Sequence, residues 1–535
     1  MTRSKQSSTT PPGSASRWYV STTIPYVNAK PHIGMALEYV VTDALARYHR
    51  RVGEDVYFLT GTDENALKNV QTAEREGVPV AELVERNSAR FRELAETLET
   101  SFDDFIRTSA DPRHIPGVHK LWEACARNGD IYRRTYRGLY CVGCELFYRE
   151  DELIDGLCPI HLIPAEEVEE ENYFFRLSRY GDQLEQLIAS DTLRVIPETR
   201  KNEVLSFIRR GLEDFSVSRS RERAHGWGIP VPGDPSQVMY VWYDALGNYI
   251  TALGYAHDGL LYQRYWQENP HRMHVLGKDV IRFHAVYWPA MLLSAGVPLP
   301  KTLLVHGWIT AGGQKMSKSL GNVVDPAQLV ADYGVESVRY FLLREISPFA
   351  DSDFTLERFQ RACNTDLADQ LGNLLNRTIS MIQRYTDGVV PASGSLATVE
   401  QALVERAAAL PGRVDEAVRA CTSNEALAAI WELVGEANRY VAETEPWALA
   451  KQRRAGDREA AQRLNTVLYT LAETLRLVAS LLVPFLPETA AKIAAQVGVP
   501  LDESVPWATV TTWGRLAAGT RVQPGPILFR KWELP

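Results

Sequence analysis

Two short groups of residues, far apart in the chain, have the types and spacing to handle phosphate. Pro31-His32-Ile33-Gly34-Met35 lies between a strand-like run and an amphipathic run, and Lys315-Met316-Ser317-Lys318-Ser319 follows Gly312-Gly313. Leu37, Val41, Leu45 and Tyr48 recur at spacings of four, four and three, so His32 stands where a loop gives way to a helix with one buried face. A helix N-terminus offers oriented N–H donors and partial positive charge to a phosphate. Gly34 has no side chain to keep a nucleotide from the backbone. Lys315 and Lys318 are flexible point charges suited to a departing pyrophosphate. Taken singly, His32 reads as a capping or buried histidine and the lysines as a solvated basic loop. As an ordered pair on a suitable scaffold they read as an ATP-phosphate site.

The scaffold is legible around them. Trp18 to Thr23 reads as a buried strand and Val56 to Leu59 as a second, with Met239 to Trp242, His274 to Leu276 and Leu303 to His306 continuing the series. Strands alternating with helices predict an α/β fold, a parallel sheet covered on both faces. In such sheets ligands sit beyond the carboxyl ends of the strands. The polar words fall there: Ile24 to His32 after the first strand, Asp63 after the second, Gly277 to Asp279 after another. The expected core is a Rossmann-type nucleotide site.

A chain of 535 residues is too long for one compact core and predicts several domains. Its apolar content of 45% is ample for burial, yet no apolar run is long enough to span a membrane. Residues 1–16 are rich in Ser, Thr and Pro and read as a disordered tail without a signal-peptide core. The net charge of −9 does not advertise nucleic-acid binding, and local basic patches leave it open. Six cysteines make no disulfide scaffold and suit a reducing cytoplasm. Four ligand types do cluster: Cys141-x-x-Cys144 and Cys158-x-x-His161, two tight pairs that suit one tetrahedral structural Zn²⁺ with no open position. Ordinary buried thiols are the alternative there. Cys125, Cys363 and Cys421 lack such spacing and read as packing residues. Toward the C-terminus, Leu464, Leu468, Leu471, Leu475, Val478 and Leu482, and likewise Leu427, Ile430, Val434, Ala437 and Val441, form stripes of a helix bundle. Pro484 and Pro487 are expected to end a helix.

The two signature groups resemble those of the class I aminoacyl-tRNA synthetases. The words Thr22 to Asn28, Leu59 to Glu64, Val241 to Tyr249 and Gly277 to Asp279 are similar to those of the methionine-specific branch, from about Trp18 to the end of the chain. The resemblance implies a division into a tail (1–16), a first Rossmann half (17–110), a connective insertion with the zinc knuckle (111–224), a second Rossmann half ending in the lysine loop (225–319), a stem-contact fold (320–364) and a helical anticodon-binding domain with C-terminal tail (365–535). It implies ATP-dependent activation of L-methionine to methionyl-adenylate and transfer to tRNA(Met), initiator and elongator, with ATP–Mg²⁺ as substrate.

By the same resemblance, Ile24, Tyr26, Trp242, Ala245, Leu246, Tyr249, Phe283 and His284 would line an aromatic methionine pocket, to which a thioether is well suited. Asp63 would hold the α-amino group. His32, Gly34, Met35, Gly277, Asp279, Lys315 and Lys318 would meet ATP, with His32 and the lysines serving adenylation. Asn373, Arg377 and Trp447 would read the CAU anticodon, residue types that suit single-stranded bases. The stretch Pro524 to Trp532 would pack back across the catalytic domain. The chain stops soon after the bundle, which implies a monomer. Each pocket residue alone would read as core, Trp447 as core and Asn373 as surface.

Two departures stand out. Met35 occupies the place of the second signature histidine, and a thioether cannot donate a hydrogen bond to phosphate; losing one transition-state donor costs about 3–4 kcal/mol. Asn65-Ala66 replaces the His-Gly that commonly follows Thr-Asp-Glu. These admit a specialised or inhibitor-tolerant enzyme, or a catalytically weakened RNA-binding relative. Another nucleotidyltransferase sharing both signatures is disfavoured by the anticodon trio and the Trp242 to Tyr249 word.

Overall fold

The computed structural model describes residues 16–141, 146–148, 150–160, 162–315 and 323–533. Six parallel strands form the central sheet: β1 (Arg17–Ser21), β2 (Asp55–Thr62), β3 (Asp104–Arg107), β4 (Arg194–Ile196), β5 (Arg272–Gly277) and β6 (Thr302–His306), in the order β3-β2-β1-β5-β6-β4. The order reverses at β1, whose neighbours are β2 and β5, so the crevice for a ligand opens beyond its carboxyl end.

Alternation along the strands divides the interior in two. Trp18, Val20, Phe58, Val275 and Leu304 face one core, and Tyr19, Tyr57, Leu59, Leu276, Leu303 and Val305 face the other. The first core packs on helix α1 (Ile33–Arg51) and continues without a break into the C-terminal helices as far as Val522. The second packs on α2 (Val241–Thr251) and the helical turns around Phe283 and Trp288.

Met239 to Trp242 is not a strand of the parallel sheet. The strand there is Asp234–Met239, antiparallel to Ser218–Ser220, and α2 begins at Val241. Residues 111–224 build a four-stranded sheet from Ile131–Cys141, Leu146–Tyr148, Glu166–Phe175 and Phe215–Ser216, and they also supply the edge strand β4.

Beyond the lysine loop, α3 (Val335–Arg344) joins the sheet domain to the bundle, whose helices include α4 (Asn373–Thr386), α5 (Thr398–Arg419), α6 (Ser423–Thr444), α7 (Pro446–Arg454), α8 (Arg458–Leu482) and α9 (Pro487–Val497). Every residue of the two predicted stripes is buried. α8 ends before Pro484, as expected, whereas Pro487 opens α9 at its first position, where a missing N–H costs nothing.

Arg339 on α3 is the joint. Fully buried, it pairs with Asp43 of α1 at 2.7 Å and donates to the carbonyls of Leu98 (2.9 Å) and Phe485 (3.0 Å). One turn earlier, Glu336 accepts the backbone N–H of Thr489 in the first turn of α9 at 2.8 Å. The far end of α1 touches the C-terminal region too: Tyr48 meets Trp507 edge to face at 5.9 Å, and Arg51 donates to the Val505 carbonyl at 2.8 Å. The C-terminal tail does not cross the parallel sheet. Trp532 packs on Tyr333 (4.7 Å between ring centroids) and exchanges two hydrogen bonds with Asn364, in a hollow that Tyr333 and the first turns of α9 also line.

Candidate active site

His32 caps α1. Its Nδ1 accepts the Gly34 N–H at 3.1 Å, which puts the ring proton on Nε2. Gly34 is required for this contact, since a Cβ there would lie 2.8 Å from the imidazole. His32 is exposed and Gly34 partly so, leaving the N-terminus of α1 open toward the crevice side of the sheet. Met35, in the first turn, packs with Val27, Val84, Phe91, Phe105 and Trp227. The thioether therefore has apolar company.

The loop after β1 passes beside the end of β2. Tyr26 forms a parallel bridge with Asp63, and the Asp63 N–H donates to Pro25 O at 2.9 Å. Asp63 is only 1% exposed. Its neighbour Glu64 is held rigidly: Arg107 donates from Nε (2.7 Å) and Nη2 (3.2 Å), Thr62 at 3.1 Å and Ser109 also to its carboxylate, and Trp227 Nε1–H to its carbonyl at 2.8 Å. Asn65 donates its N–H to Asp63 Oδ1 (3.2 Å) and its amide to buried Asp244 (3.4 Å). Burial raises the Asp244 carboxyl above its ordinary range, against the pull of His114 and Asn65.

An aromatic box stands next to this aspartate. Trp242 and Phe283 stack at 3.7 Å with planes 4° apart; Tyr26 and His284 meet Trp242 edge-on at 6.1 and 6.3 Å. Phe283 and His284 start a π-helical turn, a widening often found at functional sites. Burial lowers the His284 imidazole to about 4, so it is neutral. Nδ1–H is given to the Val280 carbonyl (2.9 Å), leaving Nε2 to accept the Tyr249 hydroxyl at 2.7 Å. Ala245 and Leu246 are buried on α2 beside Trp242, and Ile24 packs partly buried against the same core.

Gly277 ends β5. A Cβ there would sit 2.8 Å from Asp279 Oδ1 and 3.6 Å from the His306 ring, so the acidic group folds over bare backbone. Asp279 is exposed and accepts Trp308 Nε1–H at 3.3 Å. Lys315 closes a short strand whose backbone pairs with Thr310; Lys318 lies outside the described residues.

The remaining expected residues are elsewhere. Cys141 and Cys158 are buried in one small cluster with Tyr148, while Cys144 and His161 lie outside the described residues. Among the described residues no group of three or more His, Cys, Asp or Glu side chains could hold a metal. Asn373 and Arg377 are exposed on α4, and Trp447, at the second position of α7, is 47% exposed. Two site residues escaped the sequence reading: Glu38 and His306, whose carboxylate and imidazole meet, buried, at 2.9 Å. A carboxylate on the apolar face of α1, four residues after Gly34, was the signal.

The family described as tRNA synthetases class I (M) matches residues 18–168 and 161–379, and the anticodon binding domain of methionyl tRNA ligase matches residues 390–533. The methionine–tRNA ligase of Brucella suis biovar 1 is 46% identical over 525 residues, covering 97% of this chain and 99% of that one. That of Caldanaerobacter subterraneus subsp. tengcongensis is 45% identical over 523 residues, 97% of this chain and 79% of that one. The Mycobacterium tuberculosis methionyl-tRNA synthetase in complex with methionyl-adenylate superimposes with a TM-score of 0.91 at 43% identity, covering 96% of this chain and 99% of that one. Its free-state form gives 0.85 at 41% identity, covering 98% and 100%. Matched by both family models and by relatives 45–46% identical over 97% of its length, this chain belongs to the methionine–tRNA ligase family of class I tRNA synthetases.

Proposed function

We propose that this chain activates L-methionine with ATP and transfers it to tRNA(Met), initiator and elongator. The observation that carries the reading is the juxtaposition of buried Asp63, bridged to Tyr26, with the Trp242–Phe283–His284 box. A carboxylate that closes one end of an aromatic box selects an ammonium group attached to a short apolar side chain. Asp63 holds the α-ammonium. Ile24, Tyr26, Trp242, Ala245, Leu246, Tyr249, Phe283 and His284 enclose the thioether. A neutral His284, committed to Val280 and Tyr249, offers no charge to compete for polar substrates.

The methionine carboxylate attacks the α-phosphorus of ATP–Mg²⁺ and pyrophosphate leaves; no enzyme nucleophile is needed. The chain aligns and stabilises charge. His32 Nε2–H and the positive N-terminal turn of α1, with Gly34 and Met35 on it, face the phosphates. Gly277 and Asp279 take the ribose, and Lys315 and Lys318 the departing pyrophosphate. The exposed trio Asn373, Arg377 and Trp447 reads the anticodon, and the exposure of Trp447 favours base stacking over a core role.

One structural Zn²⁺ completes the insertion, held by Cys141, Cys144, Cys158 and His161. Two of these donors are buried together, and Cys158 Sγ accepts the Ile160 N–H at 3.4 Å and lies 3.8 Å from the Tyr148 hydroxyl. Bound there, the metal would cross-link the knuckle and leave catalysis to other residues. The domain division given from the sequence, with residues 111–224 also lending β4 to the sheet, a monomeric state and a cytoplasmic setting complete the proposal. Among the described residues no helix is long and apolar enough to cross a membrane.

The apolar seat of Met35 supports a specialised, inhibitor-tolerant enzyme over a silenced one, since Asp63, the box and the ordered signatures all accompany it. Methionine-dependent ATP–pyrophosphate exchange tests the reading. Robust exchange in the wild type is expected. No exchange in either wild type or Met35→His would overturn it in favour of an RNA-binding role.

A further inference from the structure

Glu38 and His306 have no role in the chemistry proposed above, yet they touch four segments of the site. Glu38 is 3% exposed and sits on α1, one turn past Gly34. Its Oε1 accepts the backbone N–H (2.6 Å) and hydroxyl (2.5 Å) of Thr23, the residue that begins the loop carrying Ile24 and Tyr26. Its Oε2 lies 2.9 Å from His306 Nε2. His306 closes β6, whose chain runs on through Trp308 and Ile309–Ala311 into the lysine loop. The other ring nitrogen, Nδ1, lies 2.8 Å from the Gly307 carbonyl, and the ring also faces Gly277.

Both ring nitrogens face oxygens that only accept: a carboxylate and a carbonyl. A neutral imidazole can satisfy one of them, and an imidazolium satisfies both. We propose that a His306 imidazolium paired with the Glu38 carboxylate is the positioning element of adenylation, fixing the methionine-side loop, the phosphate-side helix and the root of the lysine loop in one register. The proposal rests on reading the site as an adenylate-forming one. Burial by itself would lower the His306 imidazole, but the hydrogen bond and charge of Glu38, the Gly307 carbonyl and the nearby Asp279 outweigh it and hold the ring above its ordinary value. The other charges about this ring are the Lys278–Asp351 pair at 2.6 Å, which joins the segment after β5 to the loop before Ser352–Phe354, and neutral His284 on the π-helical turn.

The pair is present below the raised His306 value and is lost as pH rises through it. Neutral His306 can then donate to only one of its two oxygens, while the Glu38 carboxylate still accepts from Thr23. Reacting groups misplaced by about 1 Å lose on the order of 100-fold in rate, so the effect belongs in kcat more than in methionine KM.

The test is ATP–pyrophosphate exchange as a function of pH for the full chain and for His306→Gln, together with ¹⁵N-imidazole NMR of the wild type. Expected are an alkaline fall of kcat in the wild type, a kcat lowered by roughly 10- to 100-fold at neutral pH in His306→Gln with that alkaline limb gone, and imidazolium nitrogen shifts for His306 at neutral pH. A His306→Gln profile superimposable on the wild type, or a neutral tautomer by NMR, would overturn the proposal. The NMR arm decides even where the variant does not fold. Absence of methionine-dependent exchange in the wild type would instead refute the adenylate-forming reading and leave the imidazolium assignment to the NMR.

Discussion

Arg339→Met removes the charge at the joint between the sheet domain and the bundle while keeping most of the side-chain volume. Three bonds disappear: the 2.7 Å pair with Asp43 and the donations to Leu98 and Phe485. Breaking a fully buried pair from one side costs about 3–5 kcal/mol, chiefly because the surviving charge is left without compensation. Here Asp43 keeps partners: Arg47 at 2.8 Å, and the Ser101 N–H at 2.7 Å and hydroxyl at 2.6 Å. The cost therefore falls at the lower end, about 3 kcal/mol, or roughly 150-fold in a local opening constant. A protein of several domains has no single unfolding free energy, so native-state hydrogen exchange is the assay, read at the amides of Ser101, Val338 and Thr489. The double variant with Asp43→Asn should lose less than the sum of the singles, by about 1–2 kcal/mol. Exchange at Ser101 and Thr489 slower than a fivefold gain over wild type would refute the view that this guanidinium holds the two regions together.

Three further outcomes are expected. Trp242→Ala removes the stacked wall of the box and should raise the methionine KM by about 10- to 150-fold, from roughly 1.5–3 kcal/mol of lost apolar contact; an unchanged KM in exchange kinetics would place the thioether elsewhere. His284 is held neutral down to about 4 against an ordinary 6.5, so the folded state loses stability as pH falls from 6.5 toward 4, by about 3 kcal/mol at the end of that window. His284→Gln should blunt that acid sensitivity in thermal melts between pH 7 and 4.5, and an identical slope would count against the burial argument. Trp447→Ala should raise the KM for tRNA by about 5- to 150-fold, the worth of one stacked base at about 1–3 kcal/mol; equal KM values in aminoacylation assays would return Trp447 to an ordinary surface residue.

Periodicity carried the sequence reading where elements were long. The stripe on α1 and those of α6 and α8 announced buried faces of four or more turns, and the strands centred on Val20, Phe58, Val275 and Leu304 stood out as apolar runs. Short edges were invisible: β3 has four residues and β4 three, too few for any period to show. Met239 to Trp242 misled because an apolar run of that length fits a strand end or a helix start equally well. Only the antiparallel partner, Ser218–Ser220, decides it. The aromatic box was found through likeness of words, since nothing in spacing alone brings Tyr26, Trp242 and Phe283 to one place. Glu38 and His306 went unseen for the same reason: they are 268 positions apart in the chain, and neither belongs to a signature group.

The core that starts at Trp18 is closed by residues as late as Leu516 and Val522. On a ribosome adding about 5–20 residues each second, those closing residues appear roughly half a minute to two minutes after β1. During that interval one face of the nascent sheet, with α1 upon it, has no permanent cover and is the natural client of a chaperone. A stop codon or stalled message ahead of the codons for Leu516 and Val522 would thus release a chain whose N-terminal half is complete in sequence but open in structure. Quality control would meet such a chain as a catalytic-domain folding failure, though its lesion lies hundreds of residues away.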